Sequence, residues 1–258
     1  MTIITLTTDF GLADGYVGIM KGVILGIAPA VCLVDLSHEI AAQDVRQAAC
    51  VLARAVPYFP AGTIHLAVVD PGVGSQRRPL LVRAGQAFYV GPDNGLFTLA
   101  LAEPVAQAFE LDRPAFWRPA VSRTFHGRDI FAPVAAHLAT GVPPERLGRP
   151  IADPVLLELP RPTRHPDGHI AGQVVYVDRF GNLVSDVPAA WVAGGRWRCE
   201  IAGRQIVGLS GTYAEAAPGA LVALIGSEDT VEIAVRDGSA AARLGVREGE
   251  PVLLWPMS

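Results

Sequence analysis

Cysteine is nearly missing from these 258 residues: Cys32, Cys50 and Cys199 stand far apart, with no CxxC pair. That spacing excludes a disulfide scaffold and a structural zinc site, and reads as small buried hydrophobes in a reducing compartment. Lysine is scarcer still, Lys21 being the one lysine among 21 basic residues. With a formal charge of −4 and no basic cluster, the arginine excess reads as compositional bias, and a nucleic-acid partner is excluded. No apolar run reaches the roughly 18 residues that a membrane span needs. The N-terminal "MTIITLTTDFG" lacks the basic start, long apolar stretch and small-residue cleavage site of a signal peptide. The expectation is a soluble, cytoplasmic protein. What the chain does have is apolar content, 50% of its residues, enough for a sizeable core.

The first half alternates β-rich runs with helical patterns. "TIITLTTDF" (2–10), "VCLVDLSHEI" (31–40) and "TIHLAVVD" (63–70) are dense in β-branched and aliphatic residues and read as buried strands. Between them, "GYVGIMKGVILGIAP" (15–29) and "DVRQAACVLARAVPYF" (44–59) read as helices, with Asp44 placed to cap the second. "PLLVRAG" and "AFYVGPDNG" add two strands around a glycine turn, and "LFTLALAE" resumes a helical pattern. Strand–helix alternation predicts βαβ units and a largely parallel sheet covered by helices. Near residue 150 the texture changes to the proline-rich "GRPIADPVLLELPRPTRHPDGH", followed by short β-like runs separated by turns. The predicted class is α/β: an N-terminal parallel-sheet α/β domain over 1–155, then a small antiparallel β-barrel domain over 168–258.

Three acids, Asp9, Asp70 and Asp93, follow predicted strands, and open parallel sheets bind ligands at the carboxyl ends of their strands. Each could equally cap a turn. "GVGSQRR" offers backbone N–H groups and arginines for an anion, yet it has neither P-loop nor dinucleotide spacing and fits an ordinary glycine turn. "RTFHGRDIFAP" gathers Arg123, His126, Arg128 and Asp129, with His126 either a site residue or a loop histidine. His38, His65, His137, His165 and His169 read as structural or surface groups. "DRFGNLVSDV" presents Asp178, Phe180 and Asn182 on one turn, which a plain hairpin would also explain. A metal site from Asp9, Asp70 and His126 is open, though the spacing does not single it out. No serine elbow, HExxH helix or cysteine–histidine pairing stands out.

Taken together, "TLTTDFGLADGYVGIMKGVI", "DLSHEIAAQDVRQAA", "YFPAGTIHLAVVDPGVGSQRR", "VGPDNGLFTLAL", "TFHGRDIFAPVAAHLATG", "DRFGNLVSDV" and "GSEDTVEIAV" form a series. In that order it resembles the S-adenosyl-L-methionine (SAM) hydroxide adenosyltransferases, water-using relatives of the fluorinating and chlorinating enzymes. The resemblance covers nearly the whole chain. It implies hydrolysis of SAM to adenosine and L-methionine, with SAM as substrate and no cofactor or metal. It further implies a homotrimer whose substrate lies between the N-terminal domain of one subunit and the C-terminal domain of its neighbour. Asp70, Arg77 and His126 match the family's water-activating acid, arginine and histidine. Asp9 matches the acid on the ribose hydroxyls, and Asp178 the group receiving the methionine ammonium. Phe180 and Asn182 match the adenine contacts, and Ser227 the methionine carboxylate contact. The backbone around Val235 matches the adenine edge, and Glu232 belongs to the same motif. The halogenating branch carries tyrosine in place of the strand-end acid and lacks the histidine and arginine. Gly127 here stands where some of its members have serine, and Gln43 where they have tryptophan. Retention of all three water-activating groups implies water as nucleophile. Arg78 takes no part in this pattern and reads as a surface or interface charge.

Overall fold

The computed structural model describes residues 1–257, of which 1–158 form one compact unit and 159–257 belong to a second. In the first, strands β1 (Ile3–Thr8), β2 (Cys32–Ser37), β3 (Ile64–Val68), β4 (Pro79–Ala84), β5 (Ala87–Pro92), β6 (Gln107–Glu110) and β7 (Arg149–Ile151) form one sheet. Their order is β2-β1-β3-β5-β4-β6-β7. The pairs β2–β1, β1–β3 and β3–β5 are parallel, whereas β4, β6 and β7 pair antiparallel. The sheet is therefore mixed. The short turn at Gly85 and Gln86 forces β4 and β5 to run in opposite directions, since parallel neighbours need a long crossover.

Helices α1 (Tyr16–Ile27), α2 (Val45–Ala55), α3 (Thr98–Leu101), α4 (Ala132–Ala139) and α5 (Pro144–Leu147) accompany the sheet. Strand alternation sorts its side chains to two faces. Ile4, Leu6, Ile64, Leu66 and Val68 pack with Met20 and Ile24 of α1 and Val134 and Leu138 of α4. Ala67, Val69, Val82 and Tyr89 pack with Ala48, Ala49 and Leu52 of α2 and with Leu96 and Phe97. Asp44 caps α2 by accepting a hydrogen bond from Gln47 N at 2.8 Å. The helix passes into a 3-10 turn at Val56–Tyr58, where Pro57 supplies no backbone donor, so the helical run read over 44–59 is α-helical only to Ala55. The run "LFTLALAE" yields only the four residues of α3. After β1 the chain crosses to β2 on one side and then returns to β3 on the other. That reversal makes the carboxyl ends of β1 and β3 a topological switch point, where open α/β sheets bind ligands.

The second unit contains β8 (Thr163–Arg164), β9 (Ile170–Val177), β10 (Leu183–Pro188), β11 (Trp197–Ile201), β12 (Arg204–Val207), β13 (Leu221–Ile225), β14 (Thr230–Val235) and β15 (Pro251–Pro256), with short helices α6 (Ala189–Val192) and α7 (Ala240–Leu244). The antiparallel order is β12-β11-β15-β9-β10-β14-β13, with β8 added beside β9. A bridge between Ser210, just beyond β12, and Leu224 of β13 brings the two ends together, so the sheet is a nearly closed barrel. Ile170, Val174, Leu183, Trp197, Cys199, Ile201, Ile233, Val252 and Leu254 fill its interior.

Candidate active site

Asp9 follows β1 and Asp70 follows β3, and these strands are parallel neighbours with Thr8 in register with Val68. Both acids therefore leave the sheet at the switch point. Asp9 Oδ2 accepts a hydrogen bond from Gln43 N at 2.8 Å, and Gln43 itself adopts a left-handed conformation with φ 67°.

The glycine stretch after Asp70 is a folded turn that returns the chain to the acid. Val73 N donates to Asp70 O, Ser75 Oγ donates to Gly72 O, and Arg77 N donates to Ser75 Oγ. Gly74 has φ 77°, and a Cβ there would lie 2.4 Å from the Arg123 carbonyl oxygen, so the turn packs backbone to backbone against the segment leading to His126. Arg77 Nε consequently meets Asp70 Oδ1 at 2.9 Å and Oδ2 at 3.1 Å, while Nη2 donates to Oδ2 at 2.5 Å. Nη2 also donates to His126 Nδ1 at 2.7 Å. Asp70 and Arg77 are 5% and 8% exposed in their side chains, which makes this a buried ion pair. The guanidinium carbon lies 5.2 Å from the Phe131 ring centre.

Arginine has donors only, so His126 Nδ1 must accept, and the ring is neutral with its proton on Nε2. Burial, reinforced by the Arg77 charge, lowers the His126 pKa from its ordinary value, against the weaker opposing pull of Asp70 and Asp129. His126 precedes a π-helical turn, Gly127–Phe131, leading directly into α4. Asp129, fully buried in that turn, accepts from Arg128 Nε at 2.7 Å, Arg118 Nη1 at 3.2 Å and Ser122 N at 2.8 Å. A Cβ on Gly127 would press on Met20 Sδ at 3.2 Å and on Phe125 at 3.3 Å. The cluster thus offers one carboxylate acceptor beside two kinds of donor. Arg77 Nη1 is buried and has no hydrogen-bond partner among the described residues.

Asp93 does not join this group. It is a strut, accepting from Arg78 Nε at 2.8 Å and Val155 N at 2.8 Å. Arg78 also donates to Asp153 Oδ1 at 2.8 Å, so the residue read as a surface or interface charge has two internal partners. A carboxylate metal site at Asp70 is disfavoured on positive grounds, since both its oxygens already accept from a guanidinium. Among the described residues no group of three His, Cys, Asp or Glu side chains is placed to hold a metal ion.

The other candidates lie in the second unit. The β9–β10 turn is organised by Asp178, whose Oδ1 accepts from Phe180 N at 2.9 Å and Asn182 N at 2.8 Å. Its Oδ2 accepts from Asn182 Nδ2 at 2.9 Å, which fixes the amide. Gly181 has φ 81°, and a Cβ there would strike Ser239 Oγ at 2.0 Å. Phe180 projects from the turn, 77% exposed. Val184 pairs with Glu232 and Leu183 with Ile233, so Val235 lies toward this turn, whereas Ser227 lies beyond the other end of β14. At about 3.4 Å per residue, Thr230 to Val235 spans about 17 Å. Glu232 is buried and Ser227 exposed.

Residues 4–148 match the SAM hydroxide adenosyltransferase N-terminal domain, and residues 172–253 match the C-terminal domain of the same name. The chain belongs to the SAM hydroxide adenosyltransferase family. A relative from Thermus thermophilus named (R)-S-adenosyl-L-methionine hydrolase is 46% identical over 257 residues, covering 96% of this chain and 97% of the relative. A fluorinase from an Actinoplanes species is more distant, 28% identical over 212 residues, or 72% of this chain and 71% of the relative. The crystal structure of an uncharacterized conserved protein from Thermotoga maritima superposes with a TM-score of 0.91 at 34% identity, covering 98% of this chain and 100% of that one. Two features of this family member have no clear sequence signal. Tyr213, whose hydroxyl donates to Glu232 Oε1 at 2.5 Å, sits in an unremarked "SGTYAE" loop. Asp129 stood in a polar stretch without any hint that it is completely buried.

Proposed function

We propose that the protein hydrolyses SAM. Water attacks the ribose 5′ carbon, the C5′–S bond breaks with its electron pair passing to sulfur, and adenosine, L-methionine and one proton result. The observation that carries this reading is the buried network in which Arg77 joins Asp70 to His126, in a chain close to a relative named as a SAM hydrolase.

Free water, with a pKa near 15.7, is a poor nucleophile at neutral pH. Asp70 is the group we assign to orient the water and receive its proton, since Oδ1 accepts one bond from Arg77 and keeps a further lone pair, whereas Oδ2 accepts two. Arg77 Nη1 and His126 Nε2 are the donors assigned to the oxygen as it gains hydroxide character. Hydroxide and sulfonium carry opposite charges that cancel as the new bond forms, so excluding bulk solvent from the site favours the displacement. Asp9 is assigned to the ribose hydroxyls, Phe180, Asn182 and Val235 to adenine, and Asp178 and Ser227 to the methionine ammonium and carboxylate. Glu232 completes the binding set.

The proposal takes no metal or cofactor into the displacement. Its finer part is a cytoplasmic homotrimer in which neighbouring subunits complete each site. Cysteines as few and as far apart as Cys32, Cys50 and Cys199 fit a reducing compartment, and among the described residues no helix is long and apolar enough to cross a membrane. Incubating the purified protein with SAM should release adenosine and methionine in equal amounts, read by chromatography. Absence of adenosine refutes the proposal.

A further inference from the structure

Tyr213 lies outside every residue set assigned above, yet it is bound to one of them. Its hydroxyl donates to Glu232 Oε1 at 2.5 Å, across 19 residues of chain. Glu232 is 6% exposed and Tyr213 is 42% exposed, so the carboxylate is nearly buried while the ring keeps an open face. The short 3-10 turn carrying the tyrosine, Tyr213–Glu215, is anchored in several ways. Thr212 Oγ1 accepts from Ala214 N at 3.0 Å, and Gly211 N donates to Glu215 Oε2 at 2.8 Å. Arg236 Nη1 donates to the carbonyls of Ala214 at 2.9 Å and Ala216 at 2.7 Å. Arg236 directly follows β14, the strand that bears Glu232, so one segment grips the turn by its backbone and by its side chain.

The opposite side of the carboxylate is equally confined. A Cβ at Gly226 would stand 2.6 Å from Glu232 Oε2, so only glycine lets the carboxylate take this position without displacement. The tyrosine pKa is pushed up to about 12 by burial and by the neighbouring Glu232 and Asp178 charges. The hydroxyl thus remains a donor throughout the physiological range, and its proximity to Asp178 brings it into the electrostatic reach of the β9–β10 turn.

From this arrangement we propose that Tyr213 is a positioning residue for substrate binding: its hydroxyl fixes the Glu232 carboxylate so that the carboxylate can accept a donor group of the nucleoside. The inference rests on the adenosine-forming reading, within which Glu232 belongs to the binding set. A tyrosine that merely braced the barrel would affect stability. One that aims a carboxylate at the ligand affects affinity, and does so only while that carboxylate is present.

The test is a double-mutant cycle of Y213F and E232Q, read by calorimetric binding of adenosine, by KM and kcat for SAM, and by thermal midpoint. Removing a hydrogen bond to a charged group is expected to weaken adenosine binding and raise KM roughly tenfold. The expected kcat stays within about twofold and the Y213F midpoint is little changed, because the phenyl ring remains. In the E232Q background Y213F should have at most a threefold further effect on affinity, against roughly tenfold in the wild type. Unchanged affinity in Y213F overturns the inference, as do fully additive losses or a fall confined to the thermal midpoint. Wild-type protein that binds adenosine without turning over SAM overturns the hydrolase reading alone. Wild-type protein that fails to bind adenosine overturns both.

Discussion

Replacing one member of the Asp70–Arg77 pair should cost far more stability than replacing both. The pair is joined by three donated bonds of 2.9, 3.1 and 2.5 Å, with side chains 5% and 8% exposed. It therefore falls outside the class of solvated ion pairs worth a fraction of a kcal/mol. Arg77→Met leaves a carboxylate buried without its cation, and Asp70→Asn leaves a guanidinium facing a neutral amide while Nη1 is already without a partner among the described residues. Removing one partner of such a pair costs about 3–5 kcal/mol, a large share of the 5–15 kcal/mol typical of a domain. In the double variant both charges are gone, and the desolvation cost of each goes with them. The sum of the single losses should therefore exceed the double loss by more than either single loss, about 4 kcal/mol or more. Urea unfolding at neutral pH of the wild type and the three variants gives the coupling directly. Additivity to within about 0.5 kcal/mol would show that the two charges do not depend on one another, and would refute the geometry on which the site is built.

Other consequences follow from the same contacts. His126→Gln should lower kcat about 10²–10⁴-fold while leaving adenosine affinity within a few-fold, because the imidazole is assigned to the water and not to the nucleoside; equal losses in both would contradict that role. Since the His126 pKa is lowered and its Nδ1 must stay unprotonated to accept from Arg77, the acid limb of the wild-type kcat/KM profile should fall below pH 6.5, the ordinary histidine value. His65, buried on β3 beside Phe59 and Tyr89 and bonded to Thr5 Oγ1, has its pKa pushed down to about 4 by burial. The unfolded chain then binds more protons than the folded one between about pH 4 and 6.5, so stability is fully present above that window and lost as pH falls through it. From about pH 7.5 to 5 this amounts to about 2 kcal/mol, a slope that His65→Gln should flatten in urea titrations. EDTA should leave the rate of adenosine release unchanged, and a chelator-sensitive rate restored by a divalent ion would require a different mechanism.

The strands of the first unit are legible because β-branched residues recur in them and because punctuation by Gly, Pro and Asp sets their ends. The position of Asp9 and Asp70 at strand ends follows from the same pattern. Antiparallel pairing of β4 is legible only once its turn is counted, since Gly85 and Gln86 leave no room for a crossover. Helix α4 escapes pattern reading because Ala132 to Ala136 and Leu138 are all buried, leaving no polar face to reveal a helical period. The joining of Arg77 to Asp70 and His126 depends on a folded glycine turn and on a contact across 49 residues, neither of which has a period. Composition and spacing left open an anion cradle, a plain turn and a carboxylate–guanidinium pair, with the plain turn favoured for the glycines; the family resemblance chose among them by supplying the roles. Arg78 shows the opposite limit. Its partners are 15 and 75 residues away, and nothing nearby in sequence announces that Asp93 and Asp153 would claim it.

Hydrolysis of SAM in water enriched with oxygen-18 tests the central claim most directly. Attack at the ribose 5′ carbon predicts one heavy oxygen in the 5′-hydroxyl of adenosine and none newly placed in methionine, by mass spectrometry of the two products. Unlabelled adenosine, or heavy oxygen delivered to the amino-acid product instead, would contradict attack by water at that carbon.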